Sequence, residues 1–282
     1  MSKFHTLLSL SLICSSICLT VPSQAQDLAK IQITRSEKFS DASELFKQAD
    51  DKTLIAFDID DTLLTSDTFF GSDHWYEWQK SLTKADPSYV PCKFDVIAIN
   101  FELGAMHATE TEAVRLVNGI KTDKLYLTAR NPGYRSATER ELKRAGYPLP
   151  VMLNNSSEGI SYTHRDAEQN RAAEVSYQNG IYMVNGLGKG EALIELLGRL
   201  NKRYDKVILV DDGRKNIDSL ASALAKRNIS YHGFHYLQIG KALPPQQELV
   251  DAAQKSWQKL RNYLHNYAPA RLQQIEAGLC AY

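Results

Sequence analysis

Apolar positions along the chain follow two patterns. Short unbroken runs, rich in β-favouring side chains, occupy residues 53–59, 124–128 and 206–210, and each is the length of a buried strand. Between and after them the apolar positions recur at helical spacing, over residues 137–145, 190–201 and 217–227. In the second of these, Leu193, Leu196, Leu197 and Leu200 share one face. Strand and helix in alternation predict an α/β chain with a doubly wound parallel sheet, covered by helices on both faces. Asn179-Gly180, between Ser176-Tyr177-Gln178 and Ile181-Tyr182, is the signature of a tight hairpin. Near the end, Val250, Ala253, Trp257, Leu260, Leu264 and Tyr267 predict a long C-terminal helix, its stripe facing either the core or a partner.

The first 25 residues do not belong to this pattern. Lys3 precedes an apolar run from Leu7 to Val21, and Ser23-Gln24-Ala25 offers small residues where a signal peptidase cuts. The run is diluted by serines and a threonine and is shorter than the roughly 20 residues of a spanning helix. A signal peptide over residues 1–25 is therefore expected in preference to a membrane anchor. It implies a periplasmic or secreted protein spanning residues 26–282, with no stable membrane span after cleavage. Cys92 and Cys280 then remain, either as a disulfide or as two buried thiols.

Composition is that of an ordinary globular chain of 282 residues, 43% hydrophobic and 23% charged, large enough to bury a sizeable core. With 33 basic and 33 acidic residues it carries no electrostatic footprint for a nucleic acid polymer.

One short stretch does not fit a purely structural account. Asp58-Ile59-Asp60-Asp61-Thr62 places three carboxylates in four residues, directly behind an apolar run. Carboxylates so close repel one another, and a bound cation resolves the conflict. Mg²⁺ takes oxygen ligands and is usually held by one or two carboxylates together with substrate phosphate and water. The stretch closes a predicted parallel strand, at the end of the sheet where α/β folds bind ligands. Two more strands close on polar groups, in Thr128-Ala129-Arg130 and Asp211-Asp212-Gly213, and Gly188-Lys189-Gly190 sets a lysine at a helix start.

Taken together and in this order, these motifs over residues 53–218 resemble those of the haloacid dehalogenase superfamily of phosphohydrolases. Gly71-Ser72-Asp73-His74-Trp75 and the segment around Asn185 to Gly190 resemble an exported branch of that superfamily. The exported class B acid phosphatases share the Phe-Asp-Ile-Asp-Asp-Thr opening but differ after it. The resemblance implies a Rossmann-like fold with a small cap insertion at about residues 65–122. It also implies a Mg²⁺-dependent phosphomonoesterase acting on a small phosphorylated substrate. Asp58 is then the nucleophile, Asp60 the acid–base, and Thr128 and Lys189 hold the phosphoryl oxygens. The metal falls to Asp58, the Asp60 carbonyl, Asp211 and Asp212, with Thr62 and Asn216 on the substrate side. Arg130 either contacts substrate or forms a local salt bridge. Trp75, with Phe69, Phe70, Tyr76 and Trp78, either stacks on substrate or fills the cap's own core. A phosphotransferase uses the same residues. An exported binding or interaction protein on this fold is the contrasting reading, and turnover of an aryl phosphate with Mg²⁺ separates the two.

Overall fold

The computed structural model describes residues 30–104 and 106–282, and the expected signal sequence lies outside them. The strands are β1 (Ile31–Ser36), β2 (Thr53–Phe57), β3 (Leu64–Ser66), β4 (Met106–Ala108), β5 (Lys124–Thr128), β6 (Ile160–Asp166), β7 (Arg171–Gln178), β8 (Ile181–Met183), β9 (Lys206–Asp211) and β10 (Ser230–Tyr236). The helices are α1 (Ser43–Lys47), α2 (Asp73–Ser81), α3 (Lys93–Leu103), α4 (Thr111–Gly119), α5 (Arg135–Arg144), α6 (Lys189–Arg199), α7 (Arg214–Ala225), α8 (Gln247–Tyr267) and α9 (Pro269–Glu276). None of the described helices is long and apolar enough to cross a membrane.

The main sheet runs β1-β10-β9-β2-β5-β8-β7-β6. Its strands are parallel from β1 through β8, and β7 and β6 add an antiparallel hairpin at one edge. Strand β2 shows why both faces are covered. Leu54 and Ala56 point into one core with Leu193, Leu196, Ile217 and Leu220 of α6 and α7. Ile55 and Phe57 point into the other, with Ala113, Val117 and Leu142 of α4 and α5. A strand that is apolar at every position has to be sandwiched in this way, each fully buried large side chain contributing about 2 kcal/mol. The fold is a Rossmann-like, doubly wound α/β sheet with an insertion and a C-terminal helix.

The expected strands at residues 53–59, 124–128 and 206–210 are β2, β5 and β9, the middle of the sheet. Expected helices at 137–145, 190–201 and 217–227 are α5, α6 and α7, each beginning one to three residues earlier. Asn179 and Gly180 make the turn from β7 to β8, both with positive φ (52° and 69°).

Within the insertion, residues 91–119 form α3, β4 and α4 in place of one continuous helix. Gly104 ends α3 where an added Cβ would lie 2.1 Å from the Asn100 carbonyl oxygen. Strand β4 then pairs antiparallel with β3, giving the chain a second route for its backbone hydrogen bonds. Helix α4 packs under the main sheet, whereas α2 and α3 build a separate core of Phe70, Trp75, Trp78, Val96 and Ile97. The stripe on α8 closes this second core through Val250, Ala253, Trp257 and Leu260, so it faces the insertion and not the sheet. Its last member, Tyr267, is exposed and stacks on Tyr263.

At Gly180 an added Cβ would lie 2.5 Å from the Pro150 carbonyl oxygen, in a backbone conformation that disfavours side chains. Gly180→Ala should therefore lower stability by about 2 kcal/mol, read as a reduced urea midpoint with an unchanged slope.

Candidate active site

Order within the sheet reverses between β2 and β9: the chain moves outward through β5 and β8, then returns to the other side of β2. The crevice at such a reversal, beyond the carboxyl ends of the strands, is where open α/β sheets bind ligands. Phe57 pairs with Val210 across this boundary, so Asp58 and Asp211 emerge side by side, the Asp58 amide donating to the Val210 carbonyl at 2.9 Å.

Both aspartates are buried, and so is Lys189, which is 1% exposed. The Lys189 ammonium lies 2.6 Å from Asp58 Oδ1 and 2.7 Å from Asp211 Oδ2. It opens α6, where the helix dipole disfavours a cation, so its place there depends on the two carboxylates. Burial works against the ammonium, but Asp211 and Asp58 outweigh it and hold Lys189 above the ordinary lysine range. Asp58 is pushed well above the usual carboxylate range by burial, with Lys189 opposing and Asp211, Asp212 and Asp60 adding repulsion. The second oxygen of Asp211 accepts from the Gly213 amide (2.8 Å) and from Asn216 Nδ2 (2.9 Å).

Asp60 turns the other way. Arg130 holds it in a two-pronged ion pair, Nε to Oδ2 at 2.9 Å and Nη2 to Oδ1 at 2.8 Å. Arg130 also donates to Thr138 and lies over the Phe101 ring at 3.9 Å, which fixes its plane. Burial alone would raise the Asp60 carboxyl, but the Arg130 charge and hydrogen bonds hold it below the ordinary range. Of the two roles the sequence left open for Arg130, the local ion pair is the one present in the geometry.

The remaining expected residues divide. Thr128, fully buried at the end of β5, accepts from the Arg130 amide at 3.1 Å. Thr62 is also fully buried and works as a tie: its hydroxyl accepts from the Asp212 amide at 3.1 Å and its carbonyl from Thr109 Oγ1 at 2.7 Å. Asn216 reaches Asp211, as above. Trp75 is not brought to the site; it is 0% exposed and packs edge-on against Phe70 in the core of the insertion.

Sequence reading missed two groups here. Asp73, the first residue of α2, and Lys241, between β10 and α8, meet beside the acidic loop. The Ser72-Asp73 pair was readable as a helix start, since Ser72 Oγ caps the Trp75 amide at 3.1 Å. Nothing local marks Lys241. Burial pushes Asp212 up to about 7, against the attraction of Lys241 and with Asp211 adding to the rise.

Oxygens of Asp58, Asp211 and Asp212 all lie within 4.8 Å of one another. An all-carboxylate donor set suits a hard divalent cation such as Mg²⁺, Ca²⁺ or Mn²⁺. Beside Asp60 and Arg130 opens a cavity of about 390 Å³, walled by Tyr76, Phe94, Phe101 and Tyr134 and edged by Arg171. Its last wall is Tyr282, whose ring sits 4.9 Å from that of Tyr134. The Cys92–Cys280 disulfide holds this segment in place, joining the start of α3 to the residues after α9. Asp95 adds to the hold, accepting from the Ala281 amide at 3.1 Å and from Arg271 at 2.5 Å.

Residues 35–270 match a family described as "Protein of unknown function (DUF2608)". The chain belongs to the DUF2608 family. No curated protein matches it. Among solved structures, this DUF2608 chain is similar to the class C acid phosphatase from Bacillus anthracis, at 15% identity over 75% of this chain and 81% of that one, with a TM-score of 0.35. It is also similar to the class C acid phosphatase from Bacillus anthracis with tungstate bound, at 16% identity over 76% and 82%, again with a TM-score of 0.35.

Reducing the disulfide should release the last segment without opening the sheet. Hydrogen exchange with and without a thiol reductant should speed up at residues 277–282 and at α3, while β2, β5 and β9 remain protected. Global stability should fall, by at most about 5 kcal/mol on the chain-entropy estimate.

Proposed function

We propose that the protein is a Mg²⁺-dependent phosphomonoesterase of the haloacid dehalogenase type, working through an aspartyl-phosphate on Asp58. The observation that carries this reading is the buried Asp58–Lys189–Asp211 cluster at the switch point of the sheet, with a second acid, Asp60, two residues beyond Asp58. A structural salt bridge does not need three carboxylates and a lysine at a ligand-binding edge, whereas phosphoryl transfer does.

Asp58, Asp211, Asp212 and the Asp60 carbonyl would hold the cation, which when bound offsets the charge between a carboxylate nucleophile and a phosphate dianion. An Asp58 oxygen attacks phosphorus, and the bond from phosphorus to the ester oxygen breaks. The leaving alkoxide takes a proton from Asp60. Water then attacks the phosphoryl group, giving its proton to Asp60, and the bond to Asp58 breaks to release phosphate. Lys189 and the Thr128 hydroxyl would hold the phosphoryl oxygens throughout. The pairing with Arg130 favours the carboxylate form of Asp60, so the proton it gives in the first half-reaction would be taken up from solvent, and the attacking water replaces it in the second. The cavity beside it would take the alcohol part of the substrate, a small phosphorylated molecule.

Export belongs to the same proposal: residues 1–25 act as a cleaved signal, giving a periplasmic or secreted enzyme. A disulfide between the two remaining cysteines suits an oxidising compartment.

The test is phosphate release from an aryl phosphate with Mg²⁺. Wild-type protein should turn over, and Asp58→Asn should abolish release while the variant still folds, read as a retained cooperative thermal transition. Retained turnover in that variant overturns the nucleophile assignment.

Asp60→Asn should separate the two half-reactions. With an aryl phosphate, whose leaving group needs no proton, the phosphoenzyme should form and then hydrolyse roughly 10² to 10⁴-fold more slowly, giving a burst of phenol. With an alkyl phosphate both steps should slow and no burst should appear. Equal defects on both substrates in rapid-quench kinetics, with no phosphorylated Asp58 by mass, would remove Asp60 from the acid–base role.

A further inference from the structure

Lys241 lies beside the site, and the proposed chemistry does not use it. Its ammonium lies 3.0 Å from Asp61 Oδ2 and 2.5 Å from Asp212 Oδ2, and it also contacts the carboxylate of Asp73. Two of the three ammonium donors are hydrogen-bonded, to Asp73 and Asp212, and Asp61 lies within ion-pair distance of the third. The partners come from three places: the loop after β2, the loop after β9, and the first turn of α2 in the insertion. Their oxygens lie within 4.8 Å of one another, close enough to hold a metal ion. The rest of the Asp61 carboxylate is engaged too, accepting from Thr65 Oγ1 at 2.7 Å.

Asp212 belongs to this cluster and also to the cluster with Asp58 and Asp211. Two carboxylate cages therefore share one member, and a cation already part of the chain fills the second. Counting formal charges over both cages and the neighbouring pair, Asp58, Asp60, Asp61, Asp73, Asp211 and Asp212 face Lys189, Arg130 and Lys241, a formal excess of three negative charges. One divalent ion reduces that excess to a single charge. Without Lys241 the excess rises to four, and the second cage has no counter-charge.

We infer that Lys241 is a positioning residue that acts as a resident cation in the second cage. It draws one oxygen of Asp212 away from the first cage, restricts the site to one divalent ion, and ties the start of α2 to the metal-side loop. This rests on the reading of Asp212 as a metal-side carboxylate. A lysine serving only as a surface salt bridge would leave metal stoichiometry unchanged when removed.

The test uses the purified whole chain and Mn²⁺ alone, counted by calorimetry and by the electron paramagnetic resonance signal of free ion. Wild type should bind one ion, Lys241→Met should bind two, and Lys241→Arg, which keeps the charge, should return to one. An unchanged stoichiometry in Lys241→Met overturns the inference. If that variant is too unstable to titrate, its melting temperature is followed with and without Mn²⁺. A metal-dependent gain larger than that of wild type and Lys241→Arg supports the inference, and an equal or absent gain overturns it. Wild type that binds no Mn²⁺ would count against the metal reading of Asp58 and Asp211. The Lys241 comparison would still stand, because it is read as the difference between variant and wild type.

Discussion

The two acids where β2 meets β9 depend on one buried ammonium. Lys189 sits between Asp58 and Asp211, and among the described residues neither carboxylate has another cation within ion-pair distance. The sheet brings the two acids together regardless of their charge, because parallel pairing of β2 with β9 is driven by Leu54, Ile55, Phe57, Val207 and Val210, all fully buried. Removing one partner from a buried ion pair typically costs 3 to 5 kcal/mol, since the remaining charge is left uncompensated. The apolar middle of the sheet thus stabilises an electrostatic arrangement at its end that would not form by itself.

How far the sequence revealed this varied with how local each signal is. Asp58, Asp60, Thr128, Lys189 and Asp211 were legible because each follows an apolar run or opens a leucine-striped helix, so the chain itself states which sheet edge they share. Strand β10 was not legible, since Ser230, His232, Gly233 and His235 dilute its apolar pattern, and β1 is exposed along almost its whole length. The hairpin of β6 and β7 was missed for the related reason that its outer strand alternates with polar residues. Lys241 and Tyr282 reach their places only through tertiary folding, from segments with no periodicity. Distant contacts made by such segments leave no mark in a single sequence.

The aromatic residues of the insertion show the same division within one segment. Trp75, Trp78 and Phe70 fill its core, while Tyr76 reaches the cavity beside Asp60. Helical spacing alone could not divide them, because the insertion is covered by α8, and α8 lies some 170 residues further along the chain. Of the two readings left open for the stripe on α8, a packed face is the one present, and the surface it packs against is the insertion.

The place of β2 in the middle of the sheet also bears on the order of folding events. Ile55 pairs on one side opposite Lys124 and on the other opposite Ile208, so neither neighbour is local. Sheets built on such distant pairings fold slowly, because loop closure has to be completed before the contacts can compensate for it. While the chain is being synthesised, Leu54-Ile55-Ala56-Phe57 would therefore emerge early, with both hydrogen-bonding edges unpaired, and wait for β9. During that interval the segment is adhesive, and a holding chaperone would bind it most readily there.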